Sequence, residues 1–153
     1  MKENVLIREY KKEDQPLVLN LLRLNTPAYF APGEEKDFAH YLEQELEFYY
    51  VIEVNKIVVG CGGINFSGDL CTGKISWDIL HPEFHGRGLG TALLQHRLQK
   101  LKAFKDLRRI VVRTSQLAYR FYEKSGFSLI EKKADYWAKG FDLYLMEYLT
   151  KKK

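Results

Sequence analysis

The sequence predicts an α/β (α+β) fold: one mixed sheet of six or seven strands, flanked by about four helices. Three observations lead there. Residues 50–80 read as three short strands joined by tight turns, which gives an antiparallel meander. A strand–helix–strand run from Lys74 to Arg113 then requires a parallel pair with a crossover helix. Between the two lies a glycine-rich loop, His81 to Thr91, that leaves a strand and enters a helix. Strands and helices alternating in this way exclude a sandwich or a bundle.

The elements follow in order. Val5 to Tyr10 opens as a strand. Asp14 before Pro16 signals a helix start, with Leu17, Leu21 and Leu24 on one face and Val18 and Leu22 widening it. Asn25 to Gly33, holding Pro27 and Pro32, is a loop. A second helix is expected over Glu34 to Phe48, with Phe38, Leu42, Glu45 and Tyr49 along one side. The meander strands are Tyr50–Val54, Ile57–Phe66 and Lys74–Leu80, with Asn55-Lys56 as the first turn and Gly68-Asp69 at the tip of the second. Pro82 ends the third, because proline cannot donate to a ladder. A helix from Thr91 to about Ala103 carries Leu94, Leu98 and Leu101 on its core stripe, and Ile110–Arg113 is a short buried strand. Ser115 to Lys124 reads as a helix with Ser115 as its cap and Gly126 as its left-handed stop. Phe127–Glu131 and Leu143–Leu149 complete the sheet.

The chain has 153 residues, 46% hydrophobic and 14% aromatic, which suits one domain over residues 1–150 and excludes a disordered or collagen-like chain. The tail 151–153 is three lysines and is expected to be disordered. No apolar run approaches the roughly 20 residues of a membrane helix, so no membrane partner is expected. Met1 to Asn4 lead directly into a strand-like stretch, so no signal peptide is expected, and two cysteines make no disulfide framework; a cytoplasmic setting fits both. The net charge of +4 lacks the basic stripe and motif of a nucleic-acid binder.

The glycine loop is the most informative segment. Gly86, Gly88 and Gly90 let backbone amides approach a ligand closely, and the helix N-terminus behind them carries free N–H groups and the positive end of its dipole. Together they make an anion site, to which Arg87 adds a guanidinium fork. A tight turn that merely needs glycine is the plain alternative. A Gly-Lys-Ser/Thr phosphate loop is excluded, because that ending is missing. The dinucleotide fingerprint is excluded too: Leu93 stands where its third glycine would fall.

Arg87-Gly88-Leu89-Gly90, preceded by a strand and His81-Pro82-Glu83-Phe84, resembles the acyl-CoA pyrophosphate loop of the GNAT-type N-acetyltransferases. Ala118 to Phe127, with Tyr122-Glu123-Lys124-Ser125-Gly126-Phe127, is similar to that family's late helix and its Tyr-Glu-Lys-x-Gly-Phe ending. The resemblance covers nearly the whole chain in order. It implies acetyl-CoA as co-substrate, no metal, and transfer of the acetyl group to a primary amine by direct attack in a ternary complex. It implies that Asp78, Ile79 and Leu80 meet the pantetheine arm, that His85, Gly86, Arg87, Gly88, Leu89, Gly90 and Thr91 hold the pyrophosphate, and that Ser115 occupies a pantetheine-touching position. Tyr122 matches the tyrosine that protonates the departing thiolate. Where some members place a glutamate base, this sequence has Lys74 and Ile110. Asp78, Glu53 and His81 are then the candidate bases, with deprotonation through water as the alternative route.

Other clusters read more plainly. His81 and His85 cannot share a helix face across Pro82, so they are not expected to hold a metal. Cys61 and Cys71 flank the second turn and are expected as buried thiols facing across the hairpin. Arg97, Lys100, Lys102, Lys105, Arg108 and Arg109 read as a solvated basic run, within reach of a CoA phosphate. Glu34, Glu35, Asp37, Glu43, Glu45 and Glu47 form an acidic stretch that would attract cationic amines if it faces the acceptor. Tyr136 to Gly140 lies where acceptor or dimer contacts occur in the family. The acceptor is a small-molecule amine or a peptide or protein amine, the chain a monomer or homodimer. A catalytically silent acyl-CoA sensor on the same fold is the alternative reading.

Overall fold

The structure is a computed structural model that describes residues 3–148; Leu149 and the lysine tail lie outside the described residues. Seven strands form one sheet: β1 (Val5–Glu9), β2 (Phe48–Val54), β3 (Ile57–Phe66), β4 (Thr72–Leu80), β5 (Arg109–Thr114), β6 (Phe127–Ala138) and β7 (Phe141–Tyr148). Their spatial order is β1-β2-β3-β4-β5-β7-β6, antiparallel throughout except for the parallel pair β4–β5. Four helices accompany them: α1 (Gln15–Leu24), α2 (Glu34–Gln44), α3 (Leu89–Lys102) and α4 (Tyr119–Lys124). This is the fold class that the sequence predicts. No described helix is long and apolar enough to cross a membrane.

Two apolar layers sandwich the sheet. On one face Val18, Leu21 and Leu22 of α1 and Phe38, Tyr41 and Leu42 of α2 pack on Tyr49, Val51, Cys61 and Ile79. On the other, Leu93, Leu94, Leu98 and Leu101 of α3 and Tyr122 of α4 pack on Ile52, Val59, Ile64, Ile75 and Val112. The turn at Asn55-Lys56 has both residues at positive φ (51° and 71°), the twist that a two-residue hairpin needs. Gly126, at φ +103°, closes α4 as expected.

Several expectations are corrected. The buried stripe of α1 is Val18, Leu21 and Leu22, continued by Asn25 at the helix's C-cap, while Leu17 (51% exposed) and Leu24 (45%) face water. The stripe keeps helical spacing, but its last member is polar, which a search for apolar residues passes over. Helix α2 ends at Gln44, and Phe48 and Tyr49 belong to β2, whose aromatic and β-branched run prevails there. Ser115 does not cap α4: Ala118 does, and Ser115 instead closes the preceding turn, its Oγ accepting from the Leu117 amide at 3.2 Å. Strand β6 runs on to Ala138 through charged residues, because it is the outermost strand and its side chains reach water. Cys61 lies opposite Ile79, and Cys71 precedes β4, so the thiols do not face each other. Cys61 is buried; Cys71 is partly exposed.

Two irregularities of β4 create the site. First, β4 pairs with β5 only over Thr72–Ile75; from Ser76 to Leu80 it keeps β3 on one edge while its other edge is unpaired, and β5 carries β7 on its far edge. Second, β4 is bulged. Gly63 lies opposite Ser76 and Cys61 opposite Ile79, so Gly62 spans both Trp77 and Asp78. Trp77 absorbs the extra residue at φ +48°. Ile75 and Ile79 would share a face in a regular strand; here they enter opposite layers. The bulge sends Trp77 toward Phe30 and Phe38, and Asp78 toward α3 and α4.

Candidate active site

A cleft of about 1110 Å³ runs between the free part of β4, the end of β5, the glycine loop and the N-terminal helices. At the loop, Gly86 (φ +78°) and Gly88 (φ +80°) hold left-handed turns that other residues adopt only under strain. The space beside both is open: no atom lies within 4 Å of where a side chain would begin. Gly90, in the first turn of α3, rests against the Phe121 ring, 3.3 Å from where a Cβ would stand. Gly86, Gly88, Gly90 and Thr91 line the cleft with His85. The chain thus presents unobstructed backbone at the N-terminus of a 14-residue helix.

Two loop residues point elsewhere. Leu89 is a core side chain. Arg87 is exposed, pairs with Glu3 at 3.2 Å and lies over the Phe84 ring, outside the cleft lining. Ile79 and Leu80 line the cleft, but the Leu80 carbonyl already accepts from Asn25 Nδ2 (3.0 Å) and meets His85 Nε2 (3.0 Å). Asn25 therefore tethers the end of β4 to the residues after α1, and His85 tethers it to the glycine loop. Ser115 is buried at the cleft wall.

At the fork of β4 and β5 sit Asp78 and Tyr122. The Tyr122 hydroxyl donates to Asp78 Oδ2 at 2.6 Å. Asp78 Oδ1 forms an ion pair with Nη1 of Arg97, which is fully buried in α3. Burial, then the negative charge of Asp78 and the hydrogen bond to it, push the Tyr122 phenol well above its usual range. Tyr122 is therefore a protonated donor at neutral pH. Burial pulls the Arg97 guanidinium down, but the charge of Asp78 and its hydrogen bond outweigh this, so Arg97 remains a cation.

The other candidate bases lie elsewhere. Glu53 accepts from Arg8 at 2.7 Å on β2, and His81 Nδ1 accepts from the Glu83 amide at 3.1 Å. Ile110 is core, and Lys74 is exposed at the cleft edge. Asp78 is the candidate base that lines the cleft. Of the acidic stretch, Glu34, Asp37, Glu45 and Glu47 line the cleft, as do Tyr29, Phe30 and Trp77. Glu35 is paired with Arg23 at 2.7 Å, and Glu43 accepts from Gln15 at 3.0 Å. Burial raises the Glu34 carboxyl, the nearby Asp37 charge adds to this, and a bond from the Ala31 amide opposes it. Trp137 reaches the cleft and donates to the Thr114 carbonyl at 3.2 Å.

Arg97 is the residue that the basic-run reading misplaces. Its neighbours Leu93, Leu94, Leu98 and Leu101 are the buried stripe of α3, and helical spacing puts position 97 among them. Its charge, not its position in the helix, suggested solvent. Asn25, Tyr29 and Trp77 were also missed as cleft residues; none carries a motif.

The sequence matches the model of the Acetyltransferase (GNAT) family over residues 17–127. Solved structures of the same fold include the ribosomal-protein-S18-alanine N-acetyltransferase of Escherichia coli, with TM-score 0.78, 18% identity, and coverage of 95% of this chain and 93% of that one. An acetyltransferase of the GNAT family from Streptococcus pneumoniae superposes with TM-score 0.74 at 22% identity, covering 97% and 100%. An aminoglycoside 6′-N-acetyltransferase complexed with coenzyme A gives 0.74 at 13%, covering 97% and 99%. No curated protein matches the sequence. At these identities the structures speak for the fold, whereas the family model runs from α1 through the glycine loop to the first residue of β6. On that match over most of its length, the chain belongs to the GNAT family of acetyltransferases.

Proposed function

We propose that the protein is an acetyl-CoA-dependent N-acetyltransferase that acylates a primary amine by direct attack in a ternary complex. The observation that carries this reading is the Tyr122–Asp78 hydrogen bond at the fork of β4 and β5, inside a cleft that also contains the open glycine loop. The free backbone around Gly86 and Gly88 at the start of α3 suits a pyrophosphate, and the fork beside Asp78 and Ser115 suits a slender pantetheine arm. Bound there, acetyl-CoA supplies an activated carbonyl and a thiolate leaving group.

The side chains then manage protons. As the amine attacks, it must shed a proton, and the Asp78 carboxylate accepts it. Protonated Asp78 donates back to the Tyr122 oxygen, and Tyr122 turns its own hydrogen toward the departing sulfur. The amine proton reaches Asp78, the phenol proton reaches the thiolate, and the hydrogen bond between the two residues restores the phenol. Counted from the neutral amine, the protons balance without a further base; an amine that arrives as its ammonium first gives one proton to water, because only the neutral nitrogen has a lone pair to attack with. Elsewhere in the cleft, Glu34, Asp37 and the aromatic rings favour the approach of a cationic amine, free or on a peptide.

The test is calorimetric titration with acetyl-CoA of the wild type and of Gly88→Glu, with Gly68→Glu in the distant hairpin as the control. The expected result is micromolar-range binding in wild type and control, and none in Gly88→Glu, where a carboxylate enters an anion site on a strained backbone. Equal affinity in Gly88→Glu, or no binding by the wild type, rejects the loop assignment.

A further inference from the structure

The buried guanidinium of Arg97 has no part in the proton transfers above, and its surroundings give it no independent purpose. It is fully buried on a stripe of leucines, where an apolar side chain would pack without the cost of desolvating a charge. Its Nη2 has no hydrogen-bond partner among the described residues, a deficit rarely left in a folded protein. Its other nitrogens are spent on orientation: Nε donates to the Leu93 carbonyl at 3.3 Å, and Nη1 donates to the Gly63 carbonyl at 3.1 Å while facing Asp78 Oδ1.

The neighbouring backbone is shaped around this contact. The β4 bulge turns Asp78 to the α3 side, as described above. Gly62 supplies the room: a Cβ there would stand 2.3 Å from Asp78 Oδ1 and 2.7 Å from Arg97 Nη1. The carboxylate is thus held at both ends: Oδ1, which makes no hydrogen bond among the described residues, by its ion pair with Arg97, and Oδ2 by the Tyr122 hydroxyl. Asp78 is 17% exposed, so without Arg97 it is free to swing to water in the cleft and leave the phenol without its acceptor.

We infer that Arg97 is a positioning residue: through Asp78 it sets the direction of the Tyr122 hydroxyl. The catalytic meaning of this rests on the role of Tyr122 proposed above, whereas the positioning itself does not.

The experiment separates the two. Protein labelled with carbon-13 at tyrosine Cζ reports by NMR what each phenol oxygen bonds to, and the Tyr122 signal is assigned by its loss in Tyr122→Phe. In Arg97→Met and in Asp78→Asn the Tyr122 signal should move in the same sense. In Arg97→Lys, which keeps a cation, it should stay nearer the wild type, and in Gln99→Met, on the exposed side of α3, it should not move. Turnover in Arg97→Met should fall at least about tenfold while the acetyl-CoA Kd stays within about twofold, and Asp78→Asn, which removes the proton acceptor as well as the contact to Tyr122, should lower turnover further. A Tyr122 signal unmoved in folded Arg97→Met overturns the inference. A moved signal with unchanged turnover upholds the positioning and overturns the acid role of Tyr122 instead. Should Arg97→Met not fold, Asp78→Asn alone decides: an unmoved Tyr122 signal there overturns the inference equally.

Discussion

One oxygen atom distinguishes tyrosine from phenylalanine, and at Tyr122 that oxygen makes one hydrogen bond among the described residues, to Asp78. The ring is held separately, edge-on to Phe121 and Phe127 at centroid distances of 5.0 and 5.6 Å. Tyr122→Phe should therefore fold and bind acetyl-CoA as the wild type does, while turnover falls roughly 10- to 1,000-fold, the scale of acid–base catalysis. Steady-state kinetics beside calorimetry check this, and unchanged turnover removes Tyr122 from the mechanism. At this scale the sequence was most legible where a motif named the residue: the Tyr-Glu-Lys-x-Gly-Phe block points to Tyr122, and the strand before the glycine loop points to Asp78. Arg97 was not legible by charge, because five other basic residues between positions 100 and 109 made it look like one more solvated cation. The period of α3 held the contrary information, since 93, 94, 97, 98 and 101 form one stripe.

The elements differ in how much of their shape local pattern can carry. The Asn55-Lys56 hairpin and the glycine-led entry to α3 are set by their own residues, and the sequence shows both. The β4 bulge is not, because alternation along Lys74–Leu80 cannot reveal that Gly62 faces two residues of the partner strand. That single offset decides which face Asp78 joins, and so whether a site exists. The face of α1 is a milder case, since its five leucines and valine surround the helix too broadly for hydrophobicity alone to orient it. Packing orients it: Leu21 is 2% exposed and Leu17 51%. Leu21→Ala should cost about 2–5 kcal/mol of stability, because it removes buried methyl groups and leaves a cavity. Leu17→Ala should cost less than about 1 kcal/mol. Urea unfolding of the two variants measures the difference, and equal losses would place the helix in another rotation.

Across the whole molecule, strand order depends on contacts between distant residues: β7 returns between β5 and β6, pairing Val111 with Glu147 and Phe127 with Tyr148. No local signal specifies that insertion. The same long-range assembly buries titratable groups in both apolar layers, and this gives the fold an alkaline limit. Burial first of all raises Tyr49 well above 10, with smaller contributions from neighbouring Cys61, Tyr41 and Asp78; in the opposite layer Tyr122 is raised as well. Burial pushes the Tyr10 phenol up to about 12, with Asp14 adding to it, and pushes the Cys61 thiol up to about 12 against the opposing effect of the neighbouring Tyr49 phenol. Unfolded, the thiol releases its proton near about 8.5 and the phenols near about 10. Between those values and the raised ones the folded chain holds more protons than the unfolded chain, so each step upward in pH favours unfolding. Their contribution to stability is complete below about pH 8 and is lost progressively above it, at up to about 1.4 kcal/mol per pH unit for each of the buried groups Tyr49, Tyr122 and Cys61 and by less for the partly exposed Tyr10, which solvent screens. Urea unfolding at pH 8, 9.5 and 11 should show a steepening loss. Tyr49→Phe removes one of these groups. It also removes a 2.8 Å hydrogen bond to the Trp77 carbonyl, so it should lower stability at pH 8. Yet between pH 10 and 11 it should reduce the loss by about 1 kcal/mol relative to the wild type. A pH dependence identical in Tyr49→Phe and wild type would mean that Tyr49 ionises in the folded protein as readily as in the unfolded chain, and that the layer beneath α1 and α2 admits water.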